Sequence, residues 1–279
     1  APDRNYRDDN HKPEIICALT PFWALNGFRS PADAADLLSP VCPPVLEAPL
    51  HELAVPRGEG IKTFFKAMMT LPVEERQRAA REILEKAMPR ADVSPVYRWM
   101  VDLVRAYPAD MGVLAPALLN LVRLEPGQAM YLPAGQLHAY LEGVGIELMA
   151  NSDNVLRGGL TPKHVDVAEL LKVVRFEATT VAILNAEPLA PAESGFNCPA
   201  EEFSLSILRV APDREYRAPA KRSVELLLCT AGQGRIHSGD QAALDIRKGD
   251  SLLIPAAVDA YALSGDLTVY KAAVPLTAQ

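Results

Sequence analysis

Gly127-Gln-Ala-Met-Tyr-Leu-Pro133-Ala-Gly135-Gln-Leu-His138 is the stretch on which the reading of the fold depends. It consists of a glycine turn, a five-residue apolar strand, and a proline-glycine corner that redirects the chain and delivers a histidine. Its opening pattern of glycine, five residues, proline and alanine recurs 122 residues later in Gly249-Asp-Ser-Leu-Leu-Ile-Pro255-Ala256. A glycine turn, short strand and proline corner repeated once is what two related jelly-roll barrels would give. The copies then diverge. The first runs on to His138, whereas the second continues Ala257-Val-Asp-Ala260 and has no histidine at that place.

Working outward, short apolar runs such as Leu119–Leu124, Ala129–Leu132 and Val144–Met149 are divided by turn residues, which predicts strands after Gly112. Residues 13–28 are apolar and interrupted by Pro21 and Gly27, so they read as buried extended chain. Between these β regions lies a helical block. Ser30-Pro31 and Ser94-Pro95 each pair a capping serine with proline at the first helical position. From Val73 to Met88, Ala80, Ile83, Leu84, Ala87 and Met88 fall at helical spacing opposite a charged face. Glu187-Pro-Leu-Ala-Pro191 reads as a linker to a second β region running from Phe203 to the end. The expected class is therefore mainly β with a helical insert. Its segments are 1–29 (part of a first barrel), 30–112 (helical insert), 113–186 (the rest of that barrel) and 196–279 (a second barrel).

The 279 residues are 49% hydrophobic and 23% charged, the balance of a globular chain. No apolar run reaches the roughly 18 residues of a membrane span. A net charge of -7 argues against nucleic acid, whose binding needs a basic face. Small-molecule or protein partners are expected, with no membrane, and a monomer is favoured over an oligomer. Cys17, Cys42, Cys198 and Cys229 show no Cys-x-x-Cys spacing, which fits reduced thiols in the cytoplasm. The 24 prolines fit many short strands, and a chain that opens on Ala1 without methionine reads as a fragment or processed product.

The spacing from Gly127 to His138 resembles the second motif of the cupin jelly rolls, in which the histidine points into the barrel and binds a metal. The other four histidines are His11, His51, His164 and His237, and no His-x-His, His-x-x-x-His or His-Glu-x-x-His pair exists. Further metal ligands must then come from elsewhere, since a catalytic zinc takes about three protein ligands and an open position.

Two longer stretches extend the resemblance. His138-Ala-Tyr140-Leu followed by Gly145-Ile-Glu147-Leu-Met-Ala-Asn151-Ser-Asp153-Asn-Val-Leu-Arg157-Gly-Gly-Leu160-Thr-Pro-Lys163 resembles one signature of the type I mannose-6-phosphate isomerases. His11-Lys12-Pro13-Glu14-Ile-Ile-Cys-Ala-Leu-Thr-Pro21-Phe, with Gly27-Phe28-Arg29 after it, is similar to the other. The resemblance implies cupin-type barrels, the first incomplete, and one Zn2+ that assists interconversion of mannose 6-phosphate and fructose 6-phosphate. It implies Glu14 and His138 as metal ligands, and Arg157 as the family's active-site arginine. It also implies a Gln-x-His pair upstream of His11, so an N-terminal third is expected to lie outside this chain.

Other roles rest on the residues themselves. Lys12, two positions before Glu14, shares its face on an extended strand and is a candidate for proton transfer. Glu147, in an apolar strand, is either a proton-transfer base or an ion-pair partner. Tyr140 shares the His138 face, and His11 reaches the site only if Pro13 distorts the strand. Asp153 either binds sugar hydroxyls or holds a turn, and Lys163 is either a phosphate contact or a solvated loop lysine. A competing reading is a non-catalytic cupin-like module that binds a phosphosugar or a protein without a complete metal site. A cupin oxygenase is disfavoured by the scarcity of histidine.

Overall fold

The apolar residues after Pro13 form strand β1 (Glu14–Ala18), buried at every position. Alternate strand residues point to opposite faces, and both faces are covered. Ile16 and Ala18 pack with Phe22, Val122 and Leu132, while Ile15 and Cys17 pack against Phe203, Leu205, Ile207 and Tyr270 from the C-terminal half. A strand enclosed from two sides needs no polar alternation. Glu14 shares the Ile16 face, and its carboxylate therefore enters the first barrel. This computed structural model describes residues 6–55, 59–239 and 242–276.

Strand β2 (Phe22–Phe28) leads into six α-helices: α1 (Pro31–Leu38), α2 (Glu47–Leu53), α3 (Gly60–Met69), α4 (Val73–Ala87), α5 (Pro95–Ala106) and α6 (Ala115–Leu118). Ser30 caps α1 through the Asp33 amide, as its sequence predicts. Helix α4 carries Glu74 and Glu75 in its first turn and Lys86 in its last, matching its dipole, and buries Ala79, Ala80, Ile83 and Ala87. The helices share one apolar cluster with Leu25 and Phe28 of β2, so the insert is packed onto the barrel wall. The helical block extends to Leu118 and not only to 112, because Asp110 caps a short helical turn at Gly112 that runs directly into α6.

The chain then returns to strands β3 (Leu119–Leu124), β4 (Gln128–Leu132), β5 (His138–Glu142) and β6 (Gly145–Met149). Helix α7 (Val167–Val173) and strand β7 (Leu184–Asn185) complete the first unit. Its strands make two antiparallel sheets, ordered β6-β1-β4-β7 and β3-β2-β5.

The proposed linker proves to be a strand. Glu187–Ala190 forms β8, which pairs with β9 (Glu193–Gly195) at the edge of the second sheet. Pro188 is tolerated there because an edge strand need not donate from both sides. The second unit continues through β10 (Ser204–Val210), β11 (Tyr216–Arg217), β12 (Glu225–His237), β13 (Leu244–Arg247), β14 (Ser251–Ile254) and β15 (Ala262–Ala273). The fold is mainly β with a helical insert. Among the described residues, no helix is long and apolar enough to cross a membrane.

Candidate active site

A cavity of about 1050 Å³ opens between the first barrel and the helical insert. Lys12, Glu14, His138, Tyr140, Glu147 and Arg157 all line it. They come from neighbouring elements: Lys12 from the segment leading into β1, Glu14 from its first position, His138 and Tyr140 from β5, and Glu147 from β6, whose register sets it against Ile16. Arg157 belongs to the irregular segment after β6. On the opposite wall, Phe65 and Met68 of α3 and Leu103 of α5 give the cavity an apolar side.

His138 is held from behind. Its Nδ1–H donates to the Gln136 carbonyl at 3.0 Å, because a carbonyl can only accept. In the neutral ring the lone pair then lies on Nε2, which stands 3.6 Å from Glu14 Oε2. Two electron-rich atoms facing one another at that separation need a cation or a proton between them. Lys12 Nζ lies 3.5 Å from the other oxygen, Glu14 Oε1.

The charges respond to this crowding. Burial alone would raise the Glu14 carboxyl, but His138 and Lys12 outweigh it and hold Glu14 below the usual glutamate value. Burial would lower His138, yet its bonds to Glu14 and Gln136 raise it. Glu147 is pushed up by burial and by the adjacent Glu14, against the lowering effect of Tyr140. The Tyr140 hydroxyl donates to Glu147 Oε1 at 2.8 Å and is itself held protonated by burial and that carboxylate.

The donor set fits half of a zinc site. Glu14 and His138 supply an oxygen and an imidazole nitrogen with the rear nitrogen committed, the usual arrangement around a metal-binding histidine. No group of three or more His, Cys, Asp and Glu side chains that could hold a metal occurs among the described residues.

Three other expected site residues are engaged differently. His11 lines the cavity, but its ring is largely exposed and Nε2 pairs with Glu202 Oε1 at 2.6 Å. Asp153 is outside the cavity wall, with its amide donating to Asp8 and its carboxylate 3.6 Å from Arg7. It holds a turn. Lys163 is an exposed loop residue beyond the lining, its amide donating to Thr161.

The reading of the sequence missed Asn26 and Gln136. Gln136 Nε2 donates to the buried Asn26 Oδ1 at 2.5 Å, fixing the corner whose carbonyl orients His138. The available signal was a single amide inside the apolar run Phe22-Trp-Ala-Leu-Asn-Gly-Phe28. Asn154 was missed as well, although it receives the Arg7 amide and donates to the Asp8 carbonyl.

Residues 1–31 match the family model for the phosphomannose isomerase type I catalytic domain, and residues 193–273 match the mannose-6-phosphate isomerase cupin domain. The chain is 40% identical over 257 residues to mannose-6-phosphate isomerase of Escherichia coli (strain K12), covering 92% of this chain and 64% of the relative. A crystal structure of a phosphomannose isomerase point mutant from Salmonella typhimurium superposes with a TM-score of 0.88 at 36% identity, covering 98% of this chain and 70% of that one. The chain belongs to the type I phosphomannose isomerase family.

A zinc-bound mannose 6-phosphate isomerase structure matches with a TM-score of 0.86 at 35% identity, over 99% of this chain and 69% of that one. The chain thus spans slightly less than two thirds of the length of the Escherichia coli phosphomannose isomerase. The cupin-domain match begins at Glu193, and β9 pairs at that point, so the second unit starts before residue 196.

Proposed function

We propose that this chain forms much of the active site of an aldose–ketose isomerase that interconverts mannose 6-phosphate and fructose 6-phosphate. The observation that carries the reading is the pairing of Glu14 with His138 inside a sugar-sized cavity, the imidazole's rear nitrogen already committed to Gln136. Glu14 and His138 are the residues that would hold Zn2+, in company with donors beyond this pair. When bound, the ion supplies Lewis acidity that polarises the sugar oxygens.

Isomerisation moves a hydrogen between C1 and C2 through an enediol, so the protein must shuttle a proton and stabilise negative charge on oxygen. Glu147 is assigned the proton transfer. Burial and Glu14 draw its carboxyl toward neutrality, where an acid–base group is most effective, and Tyr140 orients it. Lys12, beside Glu14 on the cavity wall, offers an ammonium to the same oxygens. Arg157 has a planar, permanently charged guanidinium suited to an enediolate or a phosphate. The apolar wall from α3 and α5 keeps water from the reacting carbons. A cytoplasmic location belongs to the same reading and is supported by the four free thiols.

The test is a coupled assay of mannose 6-phosphate turnover by the protein that contains this chain. Arg157→Ala is expected to lower kcat by about 100-fold or more, as for loss of one charge-stabilising donor, with an unchanged melting temperature. Near-normal turnover would refute the role.

A further inference from the structure

The two barrels match in detail beyond the repeated turn. In the first, Glu14 on β1 pairs with Leu132 on β4 and Met149 on β6. In the second, Glu225 on β12 pairs with Ile254 on β14 and Ala273 on β15. Leu132 and Ile254 each precede the repeat's proline, Pro133 or Pro255. The repeat's first glycine is anchored identically in both: Gly127 N–H donates to the Ala18 carbonyl, and Gly249 N–H to the Cys229 carbonyl, each at 2.8 Å. Ala18 lies four residues after Glu14, as Cys229 does after Glu225. Glu225 is therefore the positional counterpart of Glu14.

Two positions further along, Ile16 pairs with Glu147 and Leu227 pairs with Lys271. The second barrel thus keeps the carboxylate at the Glu14 place, puts Ala260 where the repeat has His138, and carries an ammonium where the first barrel carries Glu147. The surroundings of that ammonium are closed and oxygen-rich. Lys271 is 7% exposed and Glu225 2%. Lys271 Nζ lies 2.7 Å from Glu193 Oε1 and 3.4 Å from Glu225 Oε1, and donates to the Tyr216 hydroxyl at 2.9 Å.

The oxygens are themselves oriented. Ser206 donates to Glu193 and Tyr261 to Glu225, at 2.7 and 2.8 Å. Arg222, with its side chain 3% exposed, adds a second positive charge 3.7 Å from Glu225. Two cations thus face two carboxylates inside a barrel wall otherwise built of Leu208, Leu227, Ile254 and Leu263. Burial disfavours the charged lysine, yet the bonds to Glu193 and Tyr216 more than offset this and keep it protonated.

We propose that the C-terminal barrel contains a cation site corresponding to the one at Glu14, and that the site is filled permanently by the chain's own Lys271 ammonium. The site's ligand class is a primary ammonium held by two carboxylates and a phenol. It ties β9, β11, β12 and β15 together and leaves no place for a metal. Lys271 and its partners lie in the second barrel, apart from the Glu14 and His138 pair, so thermal unfolding reads them without isomerase activity.

The test is thermal unfolding of the full chain. Lys271→Met keeps the side-chain bulk but strands the buried Glu193 carboxylate, with Glu225 still facing Arg222, and should lower the melting temperature by about 10 °C. Adding Glu193→Gln to Lys271→Met removes the stranded charge, leaves Glu225 as the partner of the buried Arg222, and should recover at least half of the loss. Lys271→Ala leaves a hole the shape of propylammonium, and that ion should raise the variant's melting temperature while tetramethylammonium does not. A double variant no more stable than Lys271→Met would overturn the proposal, because lysine would then matter only for packing. Equal responses to the two ammonium ions would overturn it as well. Should the alanine variant not fold, the comparison of the methionine and double variants decides the matter.

Discussion

Gln136 lines the cavity through its corner, yet its main effect is on His138. Its carbonyl fixes the imidazole from one side, and its side chain is in turn fixed by Asn26. Asn26 is 1% exposed on β2, so the chain of bonds starts in the barrel wall and ends at the candidate ligand. Asn26→Leu should leave the backbone in place and free the corner. Loss of such an outer partner typically weakens metal affinity or activity about 10-fold to 100-fold. Zinc titration of the variant in the protein containing this chain should show that loss, and unchanged affinity would remove Asn26 from the account. A second residue of this kind is Asp8, whose carboxylate accepts from the Asp153 amide and the Ser152 hydroxyl and is thereby held below the usual aspartate value. A lowered carboxyl contributes stability that is present above its unfolded value and is lost as pH falls through the folded one. Hydrogen exchange at the Asp153 amide should therefore accelerate relative to neighbouring amides in acid. Asp8→Asn should show the faster exchange already at neutral pH.

At the scale of elements, the irregularity in β2 is the feature that most needs support. The strand register shifts between Leu25 and Phe28, and Gly27 there has φ +64°, a left-handed value that glycine adopts without strain. The Asn120 side-chain amide spans the break, its two N–H groups shared among the carbonyls of Asn26, Gly27, Phe28 and Thr179 at 2.9–3.2 Å. Asn120→Ala should cost about 1–3 kcal/mol, since those carbonyls lose a buried donor; chemical denaturation reads this directly, and a change below about 0.5 kcal/mol, the level of ordinary surface substitutions, would contradict it. Elements of this kind mark the limit of what was legible in the chain. The barrel strands, α1, α4 and α5 follow from local signals: the Ser30 cap, proline at the first helical position, helical spacing and glycine-proline turns; Ser94 stands at the start of α5 but makes no side-chain capping bond. Strand β8 was hidden because Pro188 reads as a breaker until its edge position is known. Helix α7 was missed because its seven residues bury only Leu170 and so give little periodic signal. The pair Glu14 and His138 was legible through motif resemblance, whereas the Gln136–Asn26 support depends on a contact between residues 110 positions apart.

At the scale of the whole molecule, β1 joins the two barrels. Glu14, Ile16 and Ala18 face the first barrel's interior, and Ile15 and Cys17 pack on the second unit, with Cys17 Sγ 4.0 Å from the Tyr270 hydroxyl. The strand that places the candidate ligand is thus itself fixed by the C-terminal unit, giving the second barrel a structural part in the site even though its own interior is occupied by Lys271. Because only two donors converge at Glu14 and His138 among the described residues, the 279-residue chain should hold zinc weakly and lose it on dialysis. Stoichiometric zinc surviving dialysis would show further ligands within it. The central claim is that Glu14 and His138 form one metal-holding pair on which sugar-phosphate isomerisation depends. Its most direct test is the rate of mannose 6-phosphate conversion by the protein containing this chain, measured before and after chelation and again for His138→Ala. The account predicts zinc-restorable activity in the parent protein and a loss of at least about 100-fold in the variant that added zinc does not restore. Conversion by His138→Ala at the parent rate, or activity indifferent to chelation, would contradict it.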